Sequence, residues 1–143
     1  MPDQKKLDQL FIDIAHRVSL MSHDTDTKVG AVNVKDGNIL SMGYNGMPSG
    51  MSNDCKHGTG VTKKEVIHAE ANAITKMAKS NVSCNDSTLY ITLSPCKECS
   101  KLIIQSGIKK VVYLEKYKDT TGLDFLGNFN VECISFCFSI KRL

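Results

Sequence analysis

The chain has 143 residues, of which 41% are hydrophobic and 23% are charged, and these values are ordinary for a globular protein with one domain. Its 18 basic and 15 acidic residues are interspersed and give a net charge of +3, which is weak support for nucleic-acid binding. The sequence has no signal peptide and no apolar run of the roughly 18 residues that a membrane helix needs, so we expect a soluble, cytoplasmic protein.

The first half of the chain changes from helical to strand-like patterning. Apolar residues at helical spacing from Leu7 to Leu20 predict a first helix that ends near residues 21–24. Two β-prone runs joined by Asp36 and Gly37 then predict a hairpin over residues 29–45. The Gly- and Ser-rich segment 46–60 lacks periodicity and is interpreted as a long loop, of a length that is often functional.

The second half reads as alternating helices and strands. A helix is predicted from about Val66 to Lys79, followed by a strand over 87–94, a helix over 95–108 and a strand over 109–117. The last three form a βαβ unit with parallel strands. Residues 131–140 alternate as a terminal strand would. This order predicts a three-layer α/β domain around a mixed sheet, with residues 1–143 as a single domain.

Two cysteines at the start of the predicted helix 95–108, the helix of the βαβ unit, form a CxxC pair. Cys96 and Cys99 follow a proline, so both thiols lie on the first turn of a helix, where the helix dipole favours thiolates. Such a pair could be a redox pair or half of a structural zinc knuckle. A knuckle needs a second pair, for which only Cys55 and His57 in the loop are available, and a lone CxH pair is weak evidence.

A His-x-Glu sequence changes that interpretation. On a continuous helix His68 and Glu70 would lie about 200° apart, so they can share a site only if the helix begins at His68. His68, Cys96 and Cys99 together supply three ligands and leave the fourth zinc position open, which is typical of a catalytic site. The pattern H-x-E…P-C-x-x-C is the signature of zinc deaminases, in which the glutamate, here Glu70, is the general acid and base.

Longer motifs point to one family. The segments KVGAV at 28–32, GYNGMPSG at 43–50, IHAEANAI at 67–74, LYITLSPCKEC at 89–99 and KLIIQSGIKKVVY at 101–113 resemble the deoxycytidylate (dCMP) deaminases of the cytidine-deaminase superfamily. GYNGMPSG beside EKYKD at 115–119 favours these over cytidine, guanine or tRNA adenosine deaminases. The resemblance implies a cytidine-deaminase-like three-layer α/β/α fold with a mixed five-stranded sheet, and zinc-dependent hydrolysis of dCMP to dUMP and ammonia, which feeds dTMP synthesis.

The same resemblance assigns substrate contacts. It implies that Asn45 binds the deoxyribose and the ring, that the backbone at Ala69 and Ser94 orients the base, and that Tyr117 and Lys28 approach the 5′-phosphate. Other interpretations stay open for three of these. Asn45 could be a turn residue with positive φ, Tyr117 could cap its strand, and Lys28 could be solvated.

Regulation and assembly are also implied by the resemblance. Family members are often hexamers that dCTP with Mg²⁺ activates and dTTP inhibits, so we expect a homohexamer whose regulatory loop comprises Gly46, Met47, Pro48, Ser49 and Gly50. An ordinary surface loop is the alternative. Only 22 residues separate Asn45 and His68, too few for the second zinc of some relatives, so we predict one catalytic Zn²⁺ per chain.

Three other functions remain at this point. The enzyme could act also or instead on dCTP, or it could act on a nucleic-acid base, although the 6% aromatic content without tryptophan offers little stacking surface. The chain could also be a zinc-stabilised binding module. Such a module has no use for Glu70 beside a metal with three protein ligands.

Overall fold

The computed structural model describes residues 3–136, and within them five strands form one mixed sheet. The strands are β1 (Gly30–Lys35), β2 (Asn38–Tyr44), β3 (Thr88–Leu93), β4 (Lys110–Glu115) and β5 (Glu132–Ser135). They lie in the order β2-β1-β3-β4-β5. β1 runs antiparallel to β2 and β3, whereas β4 runs parallel to β3 and β5. The mixed five-stranded sheet and the parallel βαβ unit are therefore confirmed.

Four helices cover the two faces of this sheet. They are α1 (Gln4–Ser19), α2 (Ala69–Ala78), α3 (Lys97–Gln105) and α4 (Thr121–Asn128). One core contains Phe11, Ile12 and Ala15 of α1 against one face. The other core contains buried residues of α2, α3 and α4 against the opposite face, which confirms the three-layer α/β/α arrangement. No helix among residues 3–136 is both long and apolar enough to cross a membrane.

Local sequence determines the hairpin and the end of α1. Asp36 and Gly37 have φ values of 51° and 76°, as a two-residue turn with positive φ at both positions requires. The first helix ends at Ser19, before the predicted 21–24, and Leu20 and Met21 form a turn. Leu20 and Met21 are 51% and 61% exposed and contribute little to the core.

The structure corrects the prediction at three further places. The sequence analysis does not predict α4, because its sequence TGLDFLGN contains two glycines and buries only Gly122 and Leu126. α2 begins at Ala69 and not near Val66, since Ile67 pairs as an extended residue with Gly46. The terminal strand covers Glu132–Ser135, and the rest of the predicted strand from residue 137 lies outside the described residues.

Candidate metal centre and substrate cavity

Two helix N-termini meet on one side of the sheet. His68 is the N-cap of α2, with extended backbone angles of φ −68° and ψ 156°. Cys96 is the N-cap of α3, with φ −73° and ψ 170°. Because His68 lies just outside the helix, the 200° separation expected within a helix does not apply to His68 and Glu70. α2 thus begins immediately after His68, which lets His68 and Glu70 share one site.

Three potential ligand atoms converge at these helix starts. The Nδ1 atom of His68 lies 3.3 Å from Sγ of Cys99 and 3.6 Å from Sγ of Cys96. Zinc bonds of about 2.3 Å to sulfur and about 2.0 Å to nitrogen at a tetrahedral angle imply a sulfur–nitrogen separation of about 3.5 Å. The donor set therefore fits zinc in both chemistry and spacing. Among the described residues, it is the one group of three or more His, Cys, Asp or Glu side chains found with metal-binding spacing.

The electrostatics of the cysteine pair also suit a cation. Hydrogen bonds with Cys99 and His68 lower the pKa of the Cys96 thiol to about 4. The same contact with Cys96, together with burial, raises the pKa of Cys99. The hydrogen bond with Cys96 raises the pKa of His68. Because a cysteine binds a metal as its thiolate, a divalent cation binding there would displace any proton left on the two thiols.

Glu70 lies beside this group in the first turn of α2. Its side chain is only 4% exposed, and burial raises the pKa of its carboxyl. A carboxyl whose pKa is raised toward neutrality can both accept and return a proton, as a general acid and base must. Glu70 therefore has the environment that proton transfer requires.

A cavity of about 230 Å³ opens over Glu70 and over two of the three potential ligands, His68 and Cys96, whereas Cys99 is buried behind them. It is lined partly by residues that the sequence singled out: Asn45, His68, Ala69, Glu70, Ser94, Cys96 and Tyr117. Its remaining walls were not predicted: Asp24, Thr27, Val29, Lys56, Thr62, Val66 and Leu93. The cavity therefore contains both a candidate reactive centre and room for a ligand beside it.

Asn45 forms one wall of the cavity and is 7% exposed. Its Oδ1 atom accepts the backbone N–H of Val29 at 2.9 Å, and its Nδ2 atom donates to the carbonyl of Thr27 at 2.8 Å. Asn45 lies at a bend but is not among the described residues with positive φ, so it lacks the left-handed conformation that the turn interpretation assumed. Its side chain instead fixes the segment that enters β1.

The predicted base-orienting residues lie at the ends of the two strand-to-helix connections. Ala69 is the first residue of α2, so its backbone N–H has no acceptor within the helix. The N–H of Ser94 donates to the carbonyl of Glu115 at 2.9 Å, and its hydroxyl accepts the N–H of Tyr117 at 2.8 Å. Tyr117 lies beyond the end of β4, and its side chain borders the cavity.

Lys28 and the predicted regulatory loop lie apart from the cavity. The ammonium of Lys28 donates to the carbonyl of Ser22 at 2.6 Å and borders a neighbouring groove. Residues 46–50 follow β2, and Gly46 exchanges backbone hydrogen bonds of 3.0 and 2.8 Å with Ile67. The structure thus brings the metal set and four of the five predicted substrate residues together, and leaves Lys28 outside.

Lys56 is the cavity residue of most interest that sequence reasoning missed. It belongs to the long loop and lies between Cys55 and His57, the CxH pair that the sequence offers as a candidate half of a zinc knuckle. The Cys55 thiol instead donates to the carbonyl of Asn53 at 3.5 Å. The one available signal was a basic residue in a long loop before the histidine helix, and such residues are usually solvated.

Comparison with known proteins gives a consistent result. Residues 5–115 match the family model described as the cytidine and deoxycytidylate deaminase zinc-binding region. The deoxycytidylate deaminase of Enterobacteria phage T4 is 38% identical, over 85% of each chain. The human deoxycytidylate deaminase is 40% identical, over 78% of this chain and 67% of the human one.

A solved structure is similar over almost the full length of both chains. The dCMP deaminase of cyanophage S-TIM5, crystallised in complex with dCMP and dUMP, superposes with a TM-score of 0.90. The sequences are 43% identical, and the match covers 95% of this chain and 99% of the phage chain.

Proposed function

Because this chain belongs to the cytidine and deoxycytidylate deaminase family, we propose that it hydrolyses dCMP to dUMP and ammonia at one zinc ion per chain. The observation that carries this proposal is the convergence of His68, Cys96 and Cys99 beside a buried Glu70. The three residues would hold the metal and leave one coordination position open. We treat residues 1–143 as a single deaminase domain.

The chemistry divides between the metal and Glu70. A bound zinc ion activates water as a nucleophile near neutral pH. Glu70 accepts the proton released as the water oxygen bonds to C4 of cytosine, and passes it to N3. Glu70 then carries the second proton from the new hydroxyl to the amino nitrogen. The C4–N bond breaks, ammonia leaves, and the ring becomes uracil.

The surrounding backbone supports recognition of the base. The unpaired N–H of Ala69 is available to a ring acceptor. The N–H of Ser94 already donates to the carbonyl of Glu115. The backbone carbonyl of Ser94 is therefore the group that would accept a hydrogen bond from the amino group of cytosine. Asn45 and Tyr117 border the same space and would contact the sugar and the phosphate side of the nucleotide. Lys28 stays a prediction whose side chain lies in the adjacent groove.

Glu70→Gln tests the proton-transfer assignment. Glutamine preserves size and polarity but cannot carry a proton, so ammonia release from dCMP should fall by about 10²-fold or more. The purified variant should retain a full complement of zinc by elemental analysis. The matched control is Glu65→Gln, which changes an exposed carboxylate outside the cavity and should keep wild-type activity. Near-wild-type turnover by Glu70→Gln would refute the assignment.

Substrate choice is tested by a panel. Ammonia release should be fastest with dCMP and slower with dCTP, CMP, cytidine, single-stranded oligonucleotides and tRNA. Preference for dCTP or for a polynucleotide would identify one of the alternative activities. Removal of zinc by a chelator should abolish activity while most of the secondary structure persists, whereas complete unfolding would favour a zinc-stabilised binding module.

Regulation and assembly belong to the same proposal. We expect a homohexamer activated by dCTP with Mg²⁺ and inhibited by dTTP, with residues 46–50 forming part of the regulatory site. The pairing of Gly46 with Ile67, next to His68, supports a connection between that loop and the centre. Saturation curves for dCMP that do not respond to dCTP or dTTP would contradict the proposed regulation. Light scattering measures the oligomer size and tests the proposed hexamer. The cytoplasmic location stays a prediction.

A further inference from the structure

A small hairpin in the long loop closes one side of the cavity. Within residues 55–63, Lys56 pairs with Thr62 in an antiparallel bridge. The N–H of Lys63 donates to the carbonyl of Cys55, and that of His57 to the carbonyl of Val61, both at 2.8 Å. Lys56 and Thr62 both line the cavity. The hairpin therefore presents a cation and a hydroxyl to a bound ligand.

The ammonium of Lys56 is held in position but keeps donor capacity. It donates to the Thr62 hydroxyl at 2.6 Å. The same ammonium lies 3.4 Å from a carboxylate oxygen of Asp24 and 3.5 Å from one of Asp26. Both contacts are ion pairs, and both are longer than a usual charge-assisted hydrogen bond. The Asp26 side chain is 67% exposed and can move into solvent. A ligand anion can therefore take its place on the ammonium.

Asp24 fixes the other side of Lys56. Its side chain is 3% exposed, and its Oδ1 atom accepts the N–H groups of Asp26 at 2.8 Å and Thr27 at 3.0 Å. Burial raises the pKa of this carboxyl, but the two backbone N–H groups and the Lys56 ammonium outweigh it and lower the pKa below its ordinary value. Asp24 is thus a buried, hydrogen-bonded carboxylate that holds the Lys56 side chain at the cavity wall.

The charges around the cavity single out Lys56. Among the described residues that line it, Lys56 is the one lysine or arginine. A nucleoside monophosphate brings a phosphate with a charge of about −1.5 to −2 near pH 7. Lys28, Lys116 and Lys118 border the adjacent groove. The cavity itself therefore offers the phosphate one fixed cation.

We propose that Lys56 is a specificity-determining residue that binds the 5′-phosphate and so selects nucleotides over nucleosides. This inference rests on the proposed function, because it assumes a pyrimidine nucleotide in the cavity. On binding, the phosphate oxygens replace Asp26 as partners of the ammonium, while Asp24 and Thr62 keep the side chain in place. The expected signature is a loss of affinity that depends on the phosphate.

The test compares ligands with and without a phosphate on the zinc-loaded protein. Lys56→Gln should weaken binding of the product dUMP by about tenfold or more, as expected for a lost charge-assisted hydrogen bond, and leave binding of deoxyuridine within about twofold. The matched control is Lys64→Gln, which removes the same charge from an exposed residue of the same loop outside the cavity. Isothermal calorimetry gives both affinities, and thermal melting checks the fold.

A second variant keeps the test valid if Lys56→Gln folds poorly. Asp26→Asn removes the exposed competitor for the ammonium and should tighten dUMP by about two- to fivefold, the range of an exposed ion pair, without changing deoxyuridine. Weaker or unchanged dUMP binding in Asp26→Asn would overturn the inference. Equal losses for dUMP and deoxyuridine in Lys56→Gln, or no loss for either, would overturn it as well.

Failure of the inference and failure of the proposed function are distinguishable. If the function is wrong, the wild-type protein releases no ammonia from dCMP. If only the inference is wrong, the wild type deaminates dCMP, and Lys56→Gln changes KM for dCMP and for deoxycytidine to the same extent. The expected result is a higher KM for dCMP alone, with kcat within about twofold, since the phosphate contact is the same in substrate and transition state.

Discussion

Gly122 determines how closely α4 approaches the candidate metal ligand Cys96. A Cβ atom at this position would lie 2.1 Å from the carbonyl oxygen of Pro95 and 2.8 Å from the carbonyl carbon of Cys96. A carbon–oxygen contact needs about 3.3 Å, so Gly122→Ala must separate the two backbones by roughly 1.2 Å. A functional site tolerates displacements of only about 0.5 Å. The variant should therefore disturb Cys96 even though it touches no ligand atom.

We expect Gly122→Ala to lose about 1–3 kcal/mol of unfolding free energy, the usual cost of overpacking. Its zinc affinity should fall by about 10- to 100-fold, as when the support of a metal ligand is removed. Denaturant titration measures the first quantity and competition with a chromogenic chelator the second. Gly127→Ala is the control on the same helix, because its Cβ would meet nothing within 4 Å, and it should gain about 0.5–1 kcal/mol. Wild-type stability and zinc affinity in Gly122→Ala would refute the argument.

Two further predictions concern stability. Tyr90→Phe removes a buried hydroxyl that donates to the Asp8 carboxylate at 2.6 Å, and should lose about 1.5–3 kcal/mol in denaturant titration; a loss below 0.5 kcal/mol would contradict a role for this bond. The folded-state pKa of Asp24 is lowered, so its contribution should be complete above the unfolded pKa of about 3.9 and disappear as pH falls through the folded pKa. Melting curves of wild type and Asp24→Asn should therefore converge in acid, and a gap that is constant down to pH 2 would contradict this.

The elements that the sequence predicts well are those with local determinants. The hairpin follows from Asp36 and Gly37, which adopt the positive φ values that the turn needs. The βαβ unit follows from two apolar strands on either side of a helix that begins just after Pro95. In contrast, α4 depends on a tertiary contact between Gly122 and the Pro95–Cys96 backbone, and its eight residues include two glycines, which are poor helix formers.

The candidate site divides in the same way. The sequence identifies the three candidate metal ligands because each lies at or near the start of a helix, where a short motif specifies the local geometry. They are His68, Cys96 and Cys99. Lys56 could not be identified, because its position depends on Asp24 in a distant part of the chain and on Thr62 across a loop hairpin. Neither contact produces a periodic pattern in the sequence, since Asp24, Lys56 and Thr62 all lie outside the helices and the five strands.

The metal centre and the cavity wall are one hydrogen-bonded unit. Gly46 exchanges two backbone hydrogen bonds with Ile67, the residue before His68. Its neighbour Asn45 binds the backbone of the segment that leads into β1, and the hydroxyl of Ser22 donates to the Asn45 carbonyl at 2.8 Å. A displacement of residues 46–50 must therefore move the candidate zinc ligand His68 and one wall of the cavity together. Changes within residues 46–50 should alter zinc affinity and nucleotide affinity in parallel, although none of these five residues borders the cavity.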